Sequence, residues 1–177
     1  MRRLIATLVS VIALPTALCA AAAPAHADGD LVTCTGSVTV DYSPPLGPVL
    51  RQTQQIVTEN LGTAGGGGCA GPFTSGTART EFDQQVSCLL QGLGDTLVVN
   101  VVTYHWQDGR TSTVTYPVTT VVHAADQEIV TSTGTVTAGF GLGSVSERIA
   151  VYPSLGLLDC LNGTITRQTG LLTVTIV

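Results

Sequence analysis

The segment YHWQDGRTS, residues 104–112, contains residue types that occur in catalytic sites. It includes the only tryptophan of the sequence and one of its three histidines, close to an acidic and a basic residue. A histidine beside a carboxylate can act in general acid–base catalysis when both groups share one site. The flanking sequence favours a simpler interpretation, because apolar alternation runs up to Trp106 and resumes from Thr111. Asp-Gly between two alternating segments is a strong hairpin signal. We therefore interpret Asp108 and Gly109 as the central residues of a type I′ turn.

Catalytic use of the histidines needs partners that the sequence does not place beside them. His105 and His123 each fall within a predicted strand or at its end, and the spacing of Asp126 and Glu128 after His123 does not make a ligand face on a strand. No G-x-S-x-G nucleophile elbow and no zinc-type spacing of Cys or His occurs. We expect no catalytic residue, no metal site and no cofactor. A hydrolase that uses His105 or His123 remains an alternative hypothesis.

The amino-terminal residues 1–27 have the three parts of a secretory signal peptide: a basic pair, an apolar run and an A-x-A cleavage motif. We expect cleavage after Ala27. Residues 28–177 then form a single secreted domain, either released or associated with the cell wall.

The charge of that domain limits its partners. Residues 28–177 contain all twelve acids, five arginines and no lysine, which gives a net charge of −7 (5 − 12). Nucleic acids and anionic membrane surfaces are bound by basic patches, so neither is an expected partner. The closing segment GLLTVTIV is too short to span a bilayer. We expect an extracellular or cell-wall partner and no transmembrane segment in the mature chain.

Threonine and valine alternate through most of the chain, which is typical of strands with one buried face. We predict an all-β, antiparallel β-sandwich of immunoglobulin-like architecture with eight or nine strands, and a small β-barrel as the alternative. Asn162-Gly163 is interpreted as a second hairpin turn. The predicted strands are residues 31–41, 50–59, 77–90 (one strand or two), 96–106, 111–122, 127–138, 144–152, 160–167 and 170–177.

Four cysteines follow residue 27, and an even number in an oxidising compartment predicts two disulfides. Four cysteines allow three pairings. If the first two strands pair antiparallel, Cys34 lies near the chain that leaves the second strand, where Cys69 stands. We therefore favour Cys34–Cys69, which leaves Cys88–Cys160 to join an early strand to a late one.

The proline-rich segment after the first strand is a candidate interaction loop, expected to be stiff and exposed. Its residues are Ser43, Pro44, Pro45, Leu46, Gly47 and Pro48. One interpretation is a structural crossover between sheets. The alternative is an extracellular protease inhibitor that presents residues 43–49, because a preorganised loop lowers the cost of binding.

Several segments resemble a set of small secreted actinobacterial proteins of the Streptomyces type, β-sandwich proteins of unassigned function. They are CTGSVTVDYSPPLGP, SCLLQGLGDT, HWQDGRTSTV, TGTVTAGFGLGS, a late Cys160 and GLLTVTIV. The resemblance covers nearly all of residues 28–177. It implies a secreted β-sandwich and brings no ligand and no catalytic residue. We therefore expect a noncatalytic interaction or structural module, secreted or envelope-associated, and not an enzyme.

Overall fold

The computed structural model describes residues 32–89, 99–124 and 126–177. The predicted signal peptide and its cleavage after Ala27 lie outside these ranges, as do parts of the predicted strands at 31–41, 77–90 and 96–106. Within them the chain forms nine strands, one short helix and one 3-10 turn. The elements are β1 (Val32–Leu46), β2 (Arg51–Gly62), the 3-10 turn Thr63–Gly65, β3 (Cys69–Ala70), β4 (Ser75–Val86), β5 (Asn100–Trp106), β6 (Thr111–Ala124), β7 (Gln127–Gly139), β8 (Val145–Pro153), α1 (Leu157–Asn162) and β9 (Ile165–Ile176).

The strands form one sheet that closes on itself. Neighbours follow the order β2-β4-β5-β6-β7-β8-β9-β1, and β1 also pairs with β2, so eight strands make a barrel. The short β3 pairs with Thr33 and Cys34, beside β1 where β2 has ended. The prediction of an antiparallel all-β fold with eight or nine strands is confirmed. One closed sheet replaces the two packed sheets of a sandwich, so the barrel alternative describes the architecture.

Strand alternation places one face of each strand inside the barrel. In β1 the buried residues include Val32, Cys34, Val38 and Val40, with half-buried or exposed residues between them. Glycines allow neighbouring strands to coil closely enough for closure. A Cβ added to Gly36 would lie 2.0 Å from the carbonyl oxygen of Asn60.

Aromatic side chains close one end of the barrel, which we call the aromatic end. The rings of Phe73 and Trp106 stack with centroids 4.3 Å apart, and Phe140 meets Phe73 edge-on at 4.9 Å. The Arg110 guanidinium lies over both phenylalanine rings. Trp106 Nε1 donates a hydrogen bond to Ser112 Oγ at 2.9 Å. The tryptophan of YHWQDGRTS is therefore a packing residue.

The hairpin between β5 and β6 turns at Asp108 and Gly109, but its geometry differs from the predicted type I′ turn. Three residues, Gln107 to Gly109, separate Trp106 and Arg110, and the Trp106 N–H donates to the Arg110 carbonyl at 2.9 Å. Gly109 has φ of 86°, which fits a loop that ends in a left-handed residue. Asp108 stabilises this loop by accepting the Arg110 backbone N–H, which is also the main cause of the lowered pKa of Asp108.

The predicted hairpin turn at Asn162-Gly163 is instead the carboxyl end of α1. Asn162 is the last helical residue, and Gly163, with φ of 64°, donates its N–H to the Cys160 carbonyl at 3.1 Å. The prediction was wrong because a left-handed glycine serves a helix C-cap as well as a type I′ turn. The strands predicted at 160–167 and 170–177 are a single strand, β9, which begins only at Ile165.

Both predicted disulfides are confirmed. Cys34–Cys69 joins β1 to β3, and its two residues are direct cross-strand partners. Cys88–Cys160 joins the chain after β4 to α1 and closes a separation of 72 residues. This second bond lies at the end of the barrel opposite the aromatic end, which we call the capped end.

Candidate functional site: polar barrel interior and capped end

The barrel interior contains polar and charged side chains among its apolar ones. Nine buried polar or charged residues occupy strand positions that alternate with more exposed ones, so they face inward. They are Thr53, Gln55, Glu59, Ser112, Glu128, Ser132, Ser146, Arg148 and Gln168. The interior of an eight-stranded barrel is just wide enough to be filled by side chains or to hold one small ligand.

An ion pair crosses the middle of this interior. Glu59 on β2 and Arg148 on β8 are 2% and 5% exposed, and Arg148 Nε and Nη2 both lie 2.6 Å from Glu59 Oε1. Burial alone would lower the pKa of Arg148, but the nearby Glu59 carboxylate raises it above its usual value. Glu59 Oε2 has no hydrogen-bond partner among the described residues. The pair therefore has one acceptor left over.

A chain of hydroxyl groups lies beside the ion pair. The hydroxyls of Tyr104 and Tyr116 are 3.2 Å apart, and Tyr116 is 3.0 Å from Ser146 Oγ. Burial is the largest cause that raises the pKa values of Tyr104 and Tyr116. Burial also raises the pKa of Tyr152 to about 12. These three phenols stay protonated well above neutral pH.

The shifted phenols predict a loss of stability at alkaline pH. The folded-state pKa values of Tyr104, Tyr116 and Tyr152 lie above the unfolded value near 10. Their contribution is therefore fully present below pH 10 and is lost as pH rises from there through the folded-state pKa values, about 12 for Tyr152, at about 1.4 kcal/mol per tyrosine and pH unit. We expect Tm to fall steeply above pH 10, with the tyrosinate absorbance of these three residues appearing only as the protein unfolds. Ionisation of all tyrosines near pH 10 in the folded protein would contradict this prediction.

Hydrogen-bonded polar side chains continue from the ion pair towards the capped end. The Tyr42 hydroxyl donates to Gln168 Oε1 at 3.0 Å, and Gln168 Nε2 donates to the Pro153 carbonyl. On the other side of the interior, Gln55 Nε2 donates to Gln84 Oε1. Hydrogen-bonded polar side chains therefore reach from the ion pair to the capped end on two sides of the interior.

The two histidines of the hydrolase hypothesis are far apart. His105 is exposed at the aromatic end, where it pairs with Thr111 at the start of β6, whereas His123 lies near the other end of β6. At about 3.3 Å per strand residue they are on the order of 30–40 Å apart. His123 pairs in register with Glu128, whose pKa is raised by burial and lowered in part by His123.

No group of three or more His, Cys, Asp or Glu side chains that could hold a metal ion occurs in the described part of the chain.

The proline-rich segment is mostly strand, where the sequence predicted a loop. Ser43 to Leu46 belong to β1, where Ser43 pairs with Gln54 and Leu46 with Ile165. The strand accepts Pro44 and Pro45, which lack an N–H, because its register with β9 shifts between Asp41 and Leu46.

The segment is exposed at its beginning, at Ser43 and Pro44 on β1, and again at its end. Leu46 is 1% exposed, and the buried Gly47 accepts the Cys88 N–H through its carbonyl at 3.0 Å. Pro48 is half-buried, whereas Val49 and Leu50 are exposed. The accessible parts of the predicted interaction loop are therefore Ser43 and Pro44 on β1 and the tip of the β1–β2 turn.

Exposed aliphatic side chains gather at the capped end. Three segments meet there. The Gly47–Cys88 hydrogen bond joins the β1–β2 turn to the chain after β4, and the Cys88–Cys160 disulfide joins that chain to α1. They carry six of the fourteen exposed large aliphatic residues of the described chain. We call these six the leucine patch: Val49, Leu50, Leu89, Leu157, Leu158 and Leu161.

A groove of about 330 Å³ adjoins the leucine patch on the other side of α1. Its lining is mostly polar and includes Asp159, Thr164 and Arg167. The capped end thus offers an apolar surface and a polar concavity side by side.

Sequence reasoning missed the Glu59–Arg148 pair, although a signal was present. Glu59 lies on the same face of its strand as the buried Val57 and Leu61, and Arg148 lies on the same face as the buried Ala150. A charged residue on the buried face of a strand indicates a partner inside the fold, but the pattern does not say which residue this partner is.

Comparisons with models of protein families, with curated proteins and with solved structures found no match. In the described ranges, no helix has both the length and the apolar character needed to cross a membrane. By its structure, the protein is a closed, eight-stranded antiparallel barrel with two disulfides and polar side chains in its interior.

Proposed function

We propose that this protein is a noncatalytic interaction module that works outside the cell or at the cell wall. The two disulfides are compatible with an oxidising compartment. The barrel walls carry many threonines and few charges, which suits a durable scaffold that binds through its ends. Its partner is an extracellular or cell-wall protein with a complementary apolar surface.

The leucine patch is the observation that carries this proposal. In the six-residue α1, Leu157, Leu158 and Leu161 are 63%, 74% and 53% exposed. The eight exposed aliphatic residues outside the patch are spread over β5, β6, β8, β9, the β7–β8 connection and the strand ends. A gathered apolar surface on a water-exposed end marks an interaction site.

The size of the leucine patch suits a reversible contact. Covering all six side chains would contribute roughly 5–10 kcal/mol. Association costs about 4–15 kcal/mol. The patch therefore supports binding when neighbouring polar contacts add to it, which the polar groove beside α1 is placed to provide.

A serine-substituted variant tests the proposal. Leu157→Ser, Leu158→Ser and Leu161→Ser together remove the apolar face of α1, and we expect wild-type Tm within a few degrees because these side chains are exposed. Immobilised wild-type protein should retain a defined partner from the cell-wall or culture fraction of the producing organism. The amount of this partner retained by the triple variant should be at least tenfold lower.

A matched control removes apolar side chains elsewhere. Val118→Ser and Val122→Ser change two exposed residues of β6 and should leave retention unchanged. Equal retention of the same partner by the triple variant and the wild type would show that the leucine patch is not the binding surface.

The two alternative functions use other parts of the same geometry. A protease inhibitor would have to act through the accessible parts of residues 43–49, which are Ser43, Pro44, Pro48 and Val49, because Leu46 and Gly47 are buried. Stoichiometric inhibition of subtilisin-like or trypsin-like proteases, lost on mutating these residues, would support it. A hydrolase would rest on His123 beside Glu128, and turnover abolished by His123→Ala would support that function.

A further inference from the structure

The Glu59–Arg148 pair leaves one strong acceptor unused deep inside the barrel. Arg148 directs two N–H groups to Glu59 Oε1, and Glu59 Oε2 is buried without a hydrogen-bond partner among the described residues. Buried carboxylate oxygens are almost always hydrogen-bonded, because they lose water on burial. Oε2 is therefore expected to meet a donor that is not part of the described chain.

Charge limits what this donor can be. The Arg148 guanidinium already balances the Glu59 carboxylate, and both side chains lie away from solvent. A second cation would leave a net positive charge in the interior, which is strongly unfavourable. The donor is therefore a neutral group, such as a hydroxyl or an amide N–H.

The strand neighbours of the pair are small or β-branched. Glu59 lies in register between Ala78 on β4 and Val38 on β1, and Arg148 lies between Ser132 on β7 and Val174 on β9. Tyr104, whose hydroxyl bonds to Tyr116, is close enough to Glu59 for the carboxylate to affect its ionisation. A phenol therefore lies in the surroundings of the site, besides the Arg148 guanidinium.

We propose that Glu59 Oε2 is the anchor of an internal binding site for a small neutral hydrogen-bond donor. The shared chemistry is a hydroxyl or amide N–H group, and its source is either an ordered water molecule or a small neutral solute. Thr53 and Gln55 face inward on the same strand, with the buried Val57 between them and Glu59. This site is independent of the leucine patch.

A high-resolution crystal structure of the wild-type protein, with mass spectrometry of compounds released on denaturation, tests the proposal. We expect density within hydrogen-bond distance of Glu59 Oε2. A single compact peak with no released compound identifies water. Extended density with a released neutral compound identifies a solute. Both results support the site and distinguish its source.

A second structure tests the role of the acceptor. Glu59→Gln keeps the shape of the side chain. If its amide oxygen accepts from Arg148, its NH₂ group takes the place of Oε2 and points towards the site. We expect an amide donor at this position to be lost in that variant, whereas water or a hydroxyl group would turn and accept from the NH₂ group. A wild-type structure in which Oε2 accepts from another side chain, or faces no donor at all, would overturn the proposal even if Glu59→Gln does not fold.

Discussion

Arg148→Met is expected to lower the free energy of unfolding by about 3–5 kcal/mol, because it leaves the Glu59 carboxylate buried without its counter-charge. Methionine keeps much of the length of the arginine stem, so lost packing contributes little. Urea unfolding followed by tryptophan fluorescence measures the change, since Trp106 is buried in the fold.

The double variant Glu59→Met/Arg148→Met separates charge from packing. Removing both charges also removes the unpaired buried carboxylate, so we expect most of the lost stability to return. Arg79→Met is the matched surface control, because Arg79 and Glu81 form an exposed pair at 3.3 Å and such pairs contribute less than about 1 kcal/mol. A loss in Arg148→Met no larger than in Arg79→Met would contradict the buried-pair interpretation.

Removing the Cys88–Cys160 bond by alanine substitution of both residues is expected to cost about 4 kcal/mol, the chain-entropy contribution of a loop of this size. The bond also fixes α1 to the chain after β4. We therefore expect amide hydrogen exchange to increase most in α1 and around the leucine patch.

The corresponding double variant of Cys34 and Cys69 is the control. It opens a loop half as long, with a separation of 35 residues, so its entropic cost is smaller by only about 0.6 kcal/mol. Its exchange changes should appear beside β3 and not in α1. Unchanged exchange in α1 after loss of Cys88–Cys160 would show that the disulfide does not hold the capped end in place.

The strands and disulfides could be predicted from the sequence because they depend on local signals. Alternation of β-branched residues specified most of the strands, and the expected antiparallel pairing of the first two brought Cys34 close to Cys69. Closure into a barrel could not be predicted, because inward and outward alternation is the same in a sandwich. Closure depends on β1, which pairs with β2 on one side and on the other side with β9, a strand distant from it in sequence.

The errors came from residues that serve two kinds of local structure. Asn162-Gly163 fits a hairpin turn and a helix C-cap equally well, and only the packing of α1 against the barrel selects the second. Pro44 and Pro45 suggested an exposed loop, but a register shift lets β1 continue through them. The partner of Glu59 lies 89 residues away on a strand that is not its neighbour, so no local pattern could identify it.

Site-specific photo-crosslinking tests the proposed interaction surface most directly. A photoreactive amino acid is placed at position 158 in the leucine patch or, as a control, at position 113 on the outer face of β6, and the protein is irradiated in the culture of the producing organism. We predict a defined crosslinked species from position 158 that disappears when Leu157→Ser and Leu161→Ser are added, and none from position 113. The same species from both positions, or only from position 113, would contradict a function centred on the capped end.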